Sequence, residues 1–107
     1  MQKNDTDPIE QWLQAEGHPA EDRKTLMDFA VFCEKTPRQI IGDFNEQSKR
    51  QFEKHYGEQL LKYTAQQQKK LSSNTVREQV DVIRSFFRYH KLPLKFGFSA
   101  HVQFFFK

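Results

Sequence analysis

The chain is poor in the residues that usually advertise chemistry. Its 107 residues include one cysteine, Cys33. No internal disulfide can form, and a lone thiol among apolar neighbours is read as a buried small hydrophobe in a reducing compartment. The four glycines, Gly17, Gly42, Gly57 and Gly97, are too scattered to cradle a nucleotide phosphate. The four histidines, His18, His55, His90 and His101, have no metal-ligand spacing with Cys33, so neither a metal nor a cofactor is expected. No apolar run approaches the roughly 20 residues of a spanning helix. The opening MQKNDTDP has no apolar signal core. A cytoplasmic protein is the simplest expectation. Acidic neighbours such as Glu21 and Asp22 are read as helix-start charges rather than an acid/base couple.

What is present favours helix. The length suffices for one domain with a real core, and eleven Phe residues supply much of it. Val and Ile are few while Leu, Gln, Lys and Glu are common, which weighs against sheet. The net charge of +3 decides little, but its distribution is uneven. Residues 1–46 hold five Lys/Arg and ten Asp/Glu, a balance of −5. Residues 47–107 hold twelve and four, a balance of +8. A basic surface in the second half suits a polyanion, although uneven charge on a solvated helical surface also accounts for it.

Start and stop signals divide the chain into five helical segments. Residues 1–6 read as disordered. Asp7-Pro8-Ile9-Glu10 is a helix start with Glu10 reaching back, and the helix ends near Gly17 with Ile9, Trp12 and Leu13 on one face. A second helix starts at Pro19 or Ala20 and runs to about Glu34, burying Leu26, Phe29, Ala30 and Cys33. Thr36-Pro37-Arg38-Gln39 repeats the start signal for a third, with Ile40, Ile41 and Phe44. Ser48 with Gln51 opens a fourth, striped by Phe52, Tyr56, Leu60 and Tyr63 and fraying in the polar run from Gln66 to Lys70. The fifth lies between Ser72 and Pro93. Residues 97–107 form a Phe-rich tail or the start of a linker. The expected architecture is all-α, four or five helices, with no sheet beyond a two-stranded scrap.

The fifth segment has two working faces. At 100° per residue, Val76, Val80, Ile83 and Phe87 form one apolar stripe. Arg77, Arg84, Arg88 and Lys91 form a second, roughly 90° away by the same geometry. Ser72, Ser73 and Asn74 supply N-cap oxygens, Thr75 and Glu78 have capping-box spacing, and Pro93 blocks continuation.

This segment also carries a family resemblance, on Ser73, Thr75, Arg77, Ile83, Arg84, Phe86, Phe87, Tyr89, Leu92, Pro93 and Leu94. The pattern resembles the last helix of the N-terminal core-binding domain of tyrosine recombinases and phage-type integrases. Lys24 to Ile40 resembles the first core helix of that domain with its connector. Together the matches cover about residues 20–96. The resemblance implies a SAM-like orthogonal bundle over residues 7–96 that contacts a recombination site without catalysing strand exchange. It implies duplex DNA as partner, self-association on DNA, and a separate C-terminal catalytic domain in the full-length protein. This chain ends where that domain should begin, so no strand cleavage by this chain alone is expected. Tyr56, Tyr63 and Tyr89 sit in helical patterns and are read as packed aromatics.

By the resemblance, Thr75 and Arg77 are the strongest DNA contacts, followed by Lys24 and Thr25. Arg84 and Arg88 extend the basic stripe, Lys69 and Lys70 precede it, and Ser73 and Asn74 offer hydroxyl and amide groups to a phosphate at the helix N-terminus. Asp81 borders the stripe and weakens it. Two rivals remain. One is a small helical interaction module docking through its Phe-rich tail. The other is a helix-turn-helix regulator, ranked lower because the link from Gln66 to Asn74 looks too long for its three- or four-residue turn.

Overall fold

The computed structural model describes residues 7–94; the expectations for residues 1–6 and for the Phe-rich tail lie outside them. Five helices follow in order: α1 (Pro8–Glu16), α2 (Ala20–Phe32), α3 (Pro37–Glu46), α4 (Lys49–Gln68) and α5 (Ser73–Tyr89). Among the described residues there is no strand. No helix among them is long and apolar enough to cross a membrane.

Local chemistry sets most of the boundaries. The Asp7 carboxylate accepts the Ile9 amide at 2.8 Å and Pro8 fills the first turn of α1. Capping boxes open α3 (Thr36 with Gln39) and α4 (Ser48 with Gln51). Each satisfies two backbone donors that the first turn leaves open. Three helices close on a left-handed residue: Gly17 (φ 69°), Glu34 (φ 62°) and Lys91 (φ 59°). At α2 the turn begins two residues earlier than the expected end at Glu34. The Glu34 amide returns to the Val31 carbonyl and the Lys35 amide to Ala30, so Glu34 terminates the helix rather than extending it.

Other details also differ from expectation. Glu10 does not reach back to the cap of α1; it pairs with Arg23 and ties α1 to α2. The box at α5 is not Thr75 with Glu78. Ser72 is the N-cap, and its hydroxyl accepts the Thr75 amide at 3.2 Å. The polar end of α4 does not fray early, because Gln67 is buried and donates to Gln79 of α5 at 3.1 Å. The α4–α5 connector is therefore residues 69–72, not the long stretch from Gln66 to Asn74. Cys33 and Phe44 are half-buried at the edge of the core instead of inside it.

The core forms where α5 lies against α2 and α4. Val76, Val80 and Ile83 are fully buried, as are Leu26 and Phe29 of α2, Phe52, Tyr56 and Leu60 of α4, and Trp12 of α1. The Phe87 ring stands against Phe29 and Phe52, both 6.2 Å between centroids, and against Tyr56 at 5.9 Å. Truncating Phe87 to Ala should cost about 3–5 kcal/mol, because α2 and α4 lose a shared partner and the void cannot easily collapse. Chemical denaturation measures it, and a shift under about 1 kcal/mol would mean that the buried face of α5 is assigned wrongly.

Candidate nucleic-acid interface

The packing of α5 decides where its cations go. With Val80, Ile83 and Phe87 held inward, Arg77, Arg84 and Arg88 follow one line on the outer side. Arg77 and Arg88 are exposed and Arg84 is half-buried. The line from Arg77 to Arg88 is about 16 Å long at 1.5 Å per residue. Lys91 continues it from the turn that closes α5. There the Lys91 amide bonds the Arg88 carbonyl at 3.0 Å and the Leu92 amide bonds Phe87 at 2.8 Å. This turn folds Leu92 under the core, where it is 5% exposed, and leaves Lys91 outside.

Two depressions flank α5, and they differ in charge. The first, of about 520 Å³, is bounded by the end of α3, the start of α4, the end of α5 and residues 92–94. Among the described residues four cations line it: Lys49, Arg84, Arg88 and Lys91. Phe44, Phe87, Leu92, Pro93 and Leu94 form its apolar part. The second, of about 670 Å³, runs between α2 and the first half of α5. Lys24, Thr25, Lys70 and Thr75 meet there, bringing together both segments that carry the resemblance. The same groove holds Glu21, Asp22, Asp28, Glu78 and Asp81. Five carboxylates against two lysines make it a poor seat for a phosphate at neutral pH.

The ten residues expected at the interface therefore separate. Arg84 and Arg88 lie in the basic cleft; Lys24, Thr25, Lys70 and Thr75 lie in the acidic groove. Lys69, Ser73, Asn74 and Arg77 are exposed and line neither. The Thr75 hydroxyl accepts the Ser72 hydroxyl at 3.0 Å, and the Thr75 amide is spent on the cap. Sequence reasoning missed Lys49 and Phe44 as cleft residues. Their chain neighbours suggest only a helix start and a helix face, and tertiary packing alone brings them beside α5.

It also missed a polar cluster. Trp12 Nε1 donates to Ser85 Oγ at 2.9 Å, and Ser85 Oγ donates to Glu16 Oε1 at 2.8 Å. His18 Nε2 lies 3.2 Å from both Ser85 Oγ and Glu16 Oε1, while Nδ1 lies 2.7 Å from Asp22 Oδ2. The order Ser85–His18–Asp22 has the outline of a nucleophilic triad. Ser85, however, is 5% exposed in the body of α5, with its hydroxyl engaged by Trp12 and Glu16. The cluster reads as a tie that fastens the α1–α2 corner to α5. The Ser85 hydroxyl, then His18, holds the Glu16 carboxyl below the ordinary glutamate range against the opposing effect of burial.

Burial raises the pKa of three further groups, the half-buried Cys33 and the buried Tyr63 and Tyr56. Burial pushes the Cys33 thiol up to about 12, with Lys35 opposing weakly. Burial also raises the Tyr63 hydroxyl to about 12, and Asp28 adds to the rise. Tyr56 is raised further, first by burial and then by Asp43, which accepts its hydroxyl at 2.5 Å. Asp43 also meets Lys35 at 3.3 Å. Among the described residues no group of His, Cys, Asp or Glu could hold a metal ion. No family model, curated protein or solved structure matches this chain.

The tie predicts a pH-dependent stability. A carboxyl held low in the folded state contributes stability that is present above its unfolded pKa, about 4.3, and is lost as pH falls through the folded value. Ser85→Ala removes the first cause of that depression. It also orphans the buried Trp12 N–H, which costs about 1–3 kcal/mol at every pH. Denaturant midpoints for the two proteins should lie furthest apart near neutrality and approach one another below about pH 4, without meeting. A separation that is constant from pH 7 to pH 3 would remove Glu16 from the account.

Proposed function

We propose that this chain is a DNA-binding domain of the core-binding type found in tyrosine recombinases, a SAM-like orthogonal bundle that holds duplex DNA and leaves strand exchange to a separate C-terminal catalytic domain. The observation that carries the reading is the convergence of Lys49, Arg84, Arg88 and Lys91 on one cleft beside α5. Four cations on one surface release condensed counterions from a polyanion, which drives binding without need of a catalytic group. The phosphate contact belongs at this end of α5. Arg77 extends it along the helix, and the acidic groove with Lys24, Thr25, Lys70 and Thr75 is left out of the contact. Self-association on DNA belongs to the same proposal.

One observation favours a second DNA-binding reading. The four-residue connector 69–72 has the length of a helix-turn-helix turn, so the earlier objection to a regulator of that type falls away. Both readings give α5 the DNA-facing role. The interaction-module rival draws on Met27 and Val31, one turn apart on α2 and exposed by 40% and 69%.

Fluorescence anisotropy with a labelled duplex at several salt concentrations tests the proposal. About four neutralised phosphates predict a log–log salt slope near −3.6. Arg84→Ala or Arg88→Ala should weaken binding and reduce the magnitude of the slope by about 0.9, while Lys24→Ala should do little. Lys35→Ala should also leave binding unchanged, because that lysine is turned to Asp43. No binding at low salt, or equal effects of Arg84→Ala and Lys24→Ala, would overturn the proposal and put the interaction module first.

A further inference from the structure

The basic cleft carries an apolar and aromatic lining beside its cations. A duplex offers phosphates on its outside and base edges in its grooves, while the base faces stay stacked within. Cations alone would suffice for such a surface. Here Lys49, Arg84, Arg88 and Lys91 share the cleft with the half-buried Phe44 and Pro93, and the buried Phe87 and Leu92 complete its lining. The Phe44 ring is fixed edge-on against Phe52, 5.3 Å between centroids, and remains half-buried at the cleft wall. The cleft volume of about 520 Å³ falls within the roughly 300–1,000 Å³ typical of sites for small organic groups. A cationic rim around an apolar, partly aromatic lining is the combination that holds single strands, with phosphates on the rim and a base face on the ring.

We propose that the cleft between α3, α4 and α5 takes an unpaired nucleotide of a DNA strand, its base against the half-buried Phe44 and Pro93 and its flanking phosphates on Lys49, Arg84, Arg88 and Lys91. This inference rests on the reading of the same face as a DNA surface and deepens it from phosphate contact to base contact. The preference proposed is for an exposed base face, read by stacking on the Phe44 ring. The turn at Lys91 supplies an internal control. Its left-handed backbone suits glycine better than lysine, so Lys91→Gly relieves backbone strain while removing one cation.

The test measures anisotropy of the full chain with three labelled probes of equal length: a thymidine single strand, its abasic counterpart and a duplex. The thymidine strand should bind about tenfold or more tighter than the abasic strand. Phe44→Leu, which keeps apolar bulk but loses the ring, should shrink that ratio. Lys91→Gly should weaken both single strands while raising the thermal midpoint, so lost binding is not lost folding. Equal affinity for the thymidine and abasic strands overturns the inference. If the duplex then still binds with the expected salt slope, the reading of the face as a DNA surface stands without it. If no probe binds at low salt, both fall together.

Discussion

Everything on the outer surface of α5 depends on how firmly its inner face is held. Phe87 is the pivot. Its ring meets Phe29 from α2 and Phe52 and Tyr56 from α4, so one side chain fixes the rotation of α5 relative to two other helices. Arg84 and Arg88 flank Phe87 in sequence, and Lys91 follows through a turn whose hydrogen bond ends on the Phe87 carbonyl. Rotating α5 by one residue would carry the cations about 100° around the axis and away from Lys49. The charge arrangement is thus a consequence of aromatic packing.

A second constraint acts from the other side. Trp12, fully buried, is held through its indole N–H by Ser85, and Ser85 is shared with Glu16 and His18. The His90 ring, at the end of α5, meets the Pro8 carbonyl at 3.0 Å. These polar contacts join the two ends of the described chain across more than sixty residues. A half-satisfied buried network is costly, so the same groups that fix the α1–α2 corner also penalise alternative positions for α5. The helix that bears the candidate interface is held by rings on one flank and by hydrogen bonds on another.

The local part of this arrangement was legible in the sequence. Thr36 with Gln39 and Ser48 with Gln51 announce helix starts because both partners lie within one turn, and the stripe Val76–Val80–Ile83–Phe87 reads directly as a buried face. What depends on distant partners was not legible. Gln67 reads locally as part of a fraying polar run, because its partner Gln79 lies on another helix. His18 and Ser85 are 67 residues apart, and neither has a local signature. The split between an acidic first half and a basic second half concealed a finer pattern. Glu78 and Asp81 from the basic half join Glu21, Asp22 and Asp28 in one groove, and Lys49 crosses to the cations of α5. Charge along the chain therefore suggests a class of partner to consider but does not say which cations share a surface.

The central claim is that DNA meets the α4–α5 end of the domain and not the α2–α5 groove. Titration of the isotope-labelled chain with a short duplex at low salt, followed by amide and arginine side-chain NMR, tests it most directly. The account predicts shift changes concentrated at Lys49, Arg84, Arg88, Lys91 and their neighbours, with small changes at Lys24, Thr25 and Thr75. Changes centred on Lys24, Thr25 and Thr75, with none around Lys49 and Lys91, would contradict it.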